Sequence, residues 1–320
     1  MPTRIRPARP ASAAPVLLLI VAAAAAANFA PQEEPRVTIT PRTQLLPRPE
    51  NATPRMRMDT NMVLVPVTVT DDSDRPVTGL ALDRFRVFED NVEQKIVSFF
   101  REEGPVSVGF IFDASASMKK KMDRSVAAIE QFLKTVTPGD EFFLLRFSDR
   151  PSLVTGFTTD PNLILSELSS VEPRGWTSLN DAICLGVQRM KAAKNSRRAL
   201  FVLSDGGDNN SRYSDSEVRN LVRESDVRVY SIGLFERPRF LEKLSADTGG
   251  RSYWVHKLDE LPNEVDQLSR DLRNQYVLGY SASNGQKDGK YHSLRVELME
   301  TIRRMPLHVF WRRGYYAPGE

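Results

Sequence analysis

The stretch FDASASM at residues 112–118 places an aspartate and two serines at alternate positions, Asp113, Ser115 and Ser117, directly after the apolar run VSVGFI. Alternate residues of an extended loop point the same way, so these side chains can offer three oxygens to one point. Two further oxygen-bearing groups occupy comparable places. Asp205 stands where the apolar run LFVLS stops, and Thr177 lies in RGWTSLNDAI just ahead of an apolar helical stripe. Hydroxyl and carboxylate oxygens without histidine or cysteine suit a hard cation, Mg²⁺ or else Mn²⁺ or Ca²⁺, whereas zinc favours softer donors. Two aspartates against a dication leave the group near neutrality. An octahedral ion held by these side chains, some of them through water, keeps one position for an incoming ligand. Each residue also has a plainer reading: Asp113 as the cap of the helix that follows, Asp205 as part of a tight Asp-Gly turn. Asp208, Asn209 and Asn210 lack the glycine and the terminal glutamate of an EF-hand loop.

For these oxygens to meet, the fold must bring three distant segments to one edge. The runs VSVGFIF, EFFLLRFS, ALFVLS and VRVYSIGLF are nearly continuous in apolar residues, as strands covered on both faces must be. Between and after them lie helical stripes: Met118, Met122, Val126, Ile129, Leu133 and Val136, and later Leu258, Leu261, Val265, Leu268 and Leu272. Shorter stripes occur in DPNLILSELSSV, SLNDAICLGVQRM and SEVRNLVRES. Strand and helix in alternation predict an α/β fold with a doubly wound, mostly parallel sheet over residues 105–275. Ligands of such sheets bind outside the carboxyl ends of the strands, where Asp113 and Asp205 fall.

The flanks differ. In MVLVPVTVTDD, Val63, Val65, Val67 and Val69 alternate with other residues as in a half-buried strand, and Pro66 suggests an edge position. RFRVFEDNVEQKIVSFF predicts a hairpin bending near Glu89 to Asn91, and QYVLGYSAS, LRVELM and HVFWRRGYY predict further strands at the other end. The segments 60–104 and 276–320 are therefore expected to form one smaller β-rich module from the two ends.

Of the 320 residues, 41% are hydrophobic and 27% charged, the balance of a globular protein, and a scattered net charge of +3 gives no footprint for nucleic acid. Residues 1–30 hold Arg4, Arg6 and Arg9 without an acid, then the apolar Val16–Ala27 ending in small residues, which reads as an export signal. An uncleaved membrane anchor is the alternative, although a span needs about 20 residues. Residues 31–59 hold six prolines among polar groups and read as a linker. The only cysteine, Cys184, reads as a small buried helix residue, so the exported chain is not built on disulfides. Lys119–Lys121 lies beside the oxygens of Asp113, Ser115 and Ser117 and could favour acidic partners, but reads more simply as a solvated first helical turn.

With DASAS at 113–117, Thr177 and SDGGDN at 204–209 in place, the chain resembles the von Willebrand factor type A (VWA) family, whose metal-ion-dependent adhesion site is Asp-x-Ser-x-Ser, a threonine and an aspartate on separate loops. All five positions are filled, by Asp113, Ser115, Ser117, Thr177 and Asp205. The resemblance covers about residues 105–275. The mature region as a whole is similar to exported bacterial proteins related to that family. It implies a protein-binding module in which the metal captures an Asp or Glu of a partner, at a periplasmic or secreted location, with membrane contact only through an uncleaved N-terminus. A structural role in an envelope assembly is the alternative. Enzymatic readings find little support: the three histidines, His256, His292 and His308, form no His-Glu-x-x-His, and there is no Gly-x-Ser-x-Gly elbow or phosphate loop. Metal-assisted hydrolysis would need a general base that the sequence does not offer.

Overall fold

The structure, a computed structural model, describes residues 62–282, 288–299 and 306–319. The export signal, the proline-rich linker and most of the turn NGQKDGK lie outside the described residues. Strands β1 (Met62–Thr70), β2 (Phe85–Glu89), β3 (Val92–Gln94) and β4 (Ile96–Arg101) come first. The middle runs β5 (Val106–Asp113), α1 (Met122–Leu133), β6 (Glu141–Phe147), β7 (Pro151–Thr158), α2 (Pro161–Ser169), α3 (Leu179–Met190), β8 (Arg197–Ser204), α4 (Asp215–Glu224), β9 (Arg228–Leu234), α5 (Arg239–Thr248), β10 (Ser252–Val255) and α6 (Leu261–Arg273). Then follow β11 (Tyr276–Ser281), β12 (Tyr291–Leu298), β13 (His308–Trp311) and β14 (Gly314–Tyr316).

The middle forms a six-stranded sheet in the order β10-β9-β8-β5-β6-β7. Every residue of β5 is buried, which is why its sequence reads as one apolar run. Side chains of β5 divide between two cores. Val108, Phe110 and Phe112 face α1, α2 and α6, while Ile111 faces α3, α4 and α5, so helices cover both faces. All neighbouring pairs are parallel except β6 and β7, and there the strict alternation of strand and helix fails. Only Ser148–Arg150 join these two strands, too short a link for a crossover, so β7 must return antiparallel at the sheet edge. Gly109 is a requirement of packing, because a Cβ there would stand 2.1 Å from the Phe143 ring.

From β5 the chain proceeds to β6 and β7 on one side, then crosses to β8, β9 and β10 on the other. The wind therefore reverses between β5 and β8, and at such a switch the two loops leaving the strands diverge and open a crevice.

The remaining strands form two four-stranded sheets, β13-β1-β11-β4 and β14-β12-β2-β3, each mixing strands from both ends of the chain. They share one core of Val65, Val67, Phe85, Val87, Leu278, Tyr280, Leu294 and Val296. The hairpin β2–β3 turns at Asp90 and Asn91, both at positive φ. Pro66 does not mark an edge strand, since β1 lies between β13 and β11. The register with β13 begins only at Val67, so Pro66 lies beyond the reach of β13, where a missing N–H costs no ladder bond on that flank.

The α/β part leaves and rejoins the β sheets at neighbouring points. The buried Arg197 guanidinium donates to Gly104 O and to Leu272 O, both at 2.6 Å, and the Glu102 N–H donates to Gln275 O at 2.9 Å. Arg228 bonds Glu102 at 3.0 Å and also Gln275.

Candidate metal site

Asp113 ends β5 and is fully buried. One carboxylate oxygen, Oδ1, accepts the Ser115 N–H at 2.9 Å, and the other, Oδ2, accepts the Ser204 hydroxyl at 2.6 Å. Asp113 therefore does not cap α1, whose N-cap is Lys121. The backbone is extended at Ser115 and then winds into a 3-10 turn over Ala116–Lys120, so the two serines do not alternate along a straight loop. Their hydroxyls meet all the same, 3.0 Å apart, because the tight turn swings Ser117 back over Ser115. The Ser117 hydroxyl lies 2.9 Å from Asp205 Oδ1 as its donor.

Thr177 enters through its backbone. Its N–H donates to Asn209 Oδ1 at 2.8 Å, and its carbonyl accepts the N–H groups of Asn209 and Asn210 at 3.0 and 3.1 Å. The same segment is stitched to the first loop, with Ala116 N–H donating to Gly175 O at 3.1 Å and Arg174 N–H to Ala114 O at 2.8 Å. Three loops from the ends of β5 and β8 and from the start of α3 are thus laced into one rim. Gly175 serves this lacing twice: it adopts φ +79°, and a Cβ would stand 2.5 Å from an Asp149 oxygen. Asp149 in turn accepts the Trp176 N–H at 2.8 Å.

Burial pushes the Asp113 carboxyl above its usual range, the bonds from Ser115 and Ser204 act against this, and the charge of Asp205 adds to the upward push. Two carboxylates this enclosed call for a cation near both. Part of that charge comes from the chain itself. Lys121 is not a solvated residue of its turn; its ammonium forms an ion pair with Asp205 Oδ2 and lies 4.9 Å from the centre of the Phe235 ring. Phe235 holds this place with φ +70°, a conformation that a bulky residue seldom adopts without a local reason. The donor set presented by Asp113, Ser115, Ser117 and Asp205 is oxygen alone, which fits a hard dication.

Residues 108–207 match the family model described as von Willebrand factor type A domain. Residues 108–207 carry a von Willebrand factor type A domain. Human inter-alpha-trypsin inhibitor heavy chain H4 is 28% identical over 200 residues, covering 56% of this chain and 22% of that protein. The chain spans only 20–24% of the length of the first curated relatives it matches. Among solved structures, a von Willebrand factor type A protein from Catenulispora acidiphila is 12% identical with a TM-score of 0.48, covering 80% of this chain and 72% of that one. Proximal thread matrix protein 1 from the mussel byssus, solved with a zinc-occupied MIDAS motif, is 16% identical with a TM-score of 0.47, covering 57% of this chain and 49% of that one.

Several residues that shape the rim were not read from the sequence as part of it. Ser204 holds Asp113, Asn209 holds Thr177, and Lys121 neutralises Asp205. Ser204 had a legible signal, since it ends the same apolar run that delivers Asp205. Lys121 stood beside the site in sequence, but a run of three lysines does not show which of them turns inward.

Proposed function

We propose that the type A domain is an exported protein-binding module. Asp113, Ser115, Ser117, Thr177 and Asp205 would hold Mg²⁺, or Mn²⁺ or Ca²⁺ in its place, and the ion would supply the attraction for an Asp or Glu carboxylate of a partner protein. The observation that carries this reading is the short hydroxyl chain from Ser115 through Ser117 to Asp205, which joins two loops with oxygen donors alone. Export rests on the arginine-led apolar segment at residues 1–30. We assign residues 105–275 to this domain, with 60–104 and 276–320 as its β-rich support.

Around the rim the chain offers more than charge. Trp176, adjoining Thr177, is 65% exposed, and Phe235, beside Lys121, is 43% exposed. Exposed aromatic groups next to a charged anchor are the usual material of binding hot spots, because they bury large area at low entropic cost. No catalytic role is assigned to the rim. The test is capture of envelope proteins by the purified full chain, in Mg²⁺ and in a chelator, beside Asp113→Ala. A partner retained only by the wild-type chain in Mg²⁺ supports the module; equal capture by the Asp113→Ala chain refutes metal-borne binding.

The Lys121–Asp205 ion pair favours a second reading, a structural role in which the ammonium is the cation that completes the rim. The two readings differ in what Lys121→Ala does. If the rim takes a metal, the ammonium competes for Asp205, and its removal is expected to tighten Mg²⁺ binding about tenfold, roughly 1.4 kcal/mol. If the ammonium completes the rim, Lys121→Ala lowers the melting temperature and leaves the chain without Mg²⁺ affinity. Isothermal titration beside a thermal melt reads both.

A further inference from the structure

Away from the rim, the β-rich part gathers a second set of ligating groups. Glu89, Asp90 and His292 each bring one donor atom to a common region, with these atoms all within 4.8 Å of one another. The topology makes the set. Glu89 ends β2, Asp90 begins the two-residue turn into β3, and His292 lies near the start of β12, which runs antiparallel to β2.

Carboxylates meet both nitrogens of the His292 ring. On the imidazole, Nδ1 faces Asp90 Oδ2 at 2.8 Å and Glu89 Oε1 at 3.4 Å, while Nε2 faces Asp288 Oδ1 at 3.2 Å. Asp288 on Nε2 is the kind of outer partner that fixes a ligating imidazole, and it turns Nδ1 toward Asp90 and Glu89. Asp288 is itself held, its Oδ1 accepting the Lys290 N–H at 2.9 Å. Asp90 is held likewise. Its Oδ1 accepts the N–H of Ser293 at 2.8 Å and the Ser293 hydroxyl at 3.0 Å, which leaves Oδ2 to face the imidazole.

Glu89 supplies the independent observation. The residue is only 5% exposed, and its Oε2 is buried without a hydrogen bond, as is the hydroxyl of Tyr280, which acts on the same carboxylate. The other oxygen, Oε1, accepts the Tyr315 hydroxyl at a long 3.3 Å. A buried carboxylate oxygen without a hydrogen bond is costly unless a donor or a cation meets it. Three carboxylates stand around one imidazole here, so the pocket is anionic whichever way the ring is protonated.

The geometry points to a second metal site, in which Glu89, Asp90 and His292 bind a Zn²⁺-class dication through one nitrogen and two carboxylate oxygens. Zinc takes such donors at about 2.0–2.2 Å in tetrahedral array, so that neighbouring donors stand about 3.3 Å apart. The observed 2.8 and 3.4 Å from Nδ1 lie near that spacing, and all three donor atoms lie within 4.8 Å of one another. The nitrogen donor separates this site in preference from the oxygen-only rim, and three protein ligands leave a fourth position for water. Bound there, the ion would pin the β2–β3 turn to β12 and so join the two ends of the chain.

Co²⁺ is the probe, because a four-coordinate site with a nitrogen ligand gives intense visible bands whereas an octahedral oxygen site gives weak ones. The purified full chain is titrated with Co²⁺, then with Zn²⁺ in competition, beside His292→Gln, Glu89→Gln and Asp113→Ala. Expected are intense bands in the wild-type chain, displaced by Zn²⁺ and retained in the Asp113→Ala chain, with at least tenfold weaker binding in both the His292→Gln and Glu89→Gln chains. Should one of those two fail to fold, the other decides. Absence of intense bands in the wild-type chain, wild-type affinity in a folded His292→Gln or Glu89→Gln chain, or loss of the bands in Asp113→Ala overturns the site; the first two outcomes leave His292 as a metal-free imidazolium clamp.

Discussion

Asp113→Ala is expected to weaken Mg²⁺ binding more than about a hundredfold, or about 2.8 kcal/mol, while the fold survives. The size follows from what Asp113 supplies. It is one of two carboxylates at the rim, it is fully buried, and both of its oxygens are oriented by the Ser115 N–H and the Ser204 hydroxyl. Loss of an orienting partner alone typically costs ten- to a hundredfold in metal affinity, and loss of a charged ligand costs more. Stability is expected to behave differently. Burial already works against the ionised form of Asp113, so alanine relieves an unfavourable charge while depriving Ser115 and Ser204 of a partner. These effects oppose one another, and the melting temperature should move by less than about 4 °C. Unchanged Mg²⁺ affinity in the folded variant would remove Asp113 from the metal site.

Phe110→Ala carries the largest expected loss of stability. The ring is fully buried at the centre of β5 and meets three others, with centroids 5.5 Å from Phe132, 5.9 Å from Phe142 and 5.8 Å from Phe201. Those partners come from α1, β6 and β8, so the cavity would open where a helix and the two strands beside β5 converge. Truncating a buried phenylalanine costs about 3–5 kcal/mol, out of a typical total of roughly 5–15 kcal/mol. The denaturant midpoint should fall accordingly with the slope unchanged. A loss below about 1.5 kcal/mol would mean that the aromatic cluster closes over the gap.

What could be read from the sequence depended on how strongly burial marks a segment. β5, β6, β8 and β9 are buried along nearly their whole length, and each shows as an apolar run. β7 and β10 escaped notice for the opposite reason. They are the edge strands of the sheet, β7 with exposed Ser152, Leu153 and Gly156, β10 only four residues long, and neither needs a continuous apolar pattern. At the rim, Asp113 and Asp205 were legible because each follows a buried strand directly. The turn that brings Ser115 and Ser117 together was misread as extended, since convergence of two side chains does not reveal which backbone produces it. Lys121, Asn209 and Gly175 act across segments distant in sequence, where no periodicity points to a partner. The same holds for His292, whose carboxylate neighbours Glu89 and Asp90 lie at the other end of the chain.

The clasp formed by Arg197, Glu102 and Gln275 sets an order of assembly. The α/β part is enclosed by it as an inserted unit, with entrance and exit side by side. Every strand pairing of the six-stranded sheet lies within the insert, whereas Met62 of β1 waits for Ser281 of β11, and β2 waits for β12. During synthesis from the N-terminus the insert can close while the outer strands still lack their neighbours. Once it has closed, its two ends are adjacent, and the long loop that β4 and β11 would otherwise have to bridge shrinks to the width of one hydrogen-bonded pair.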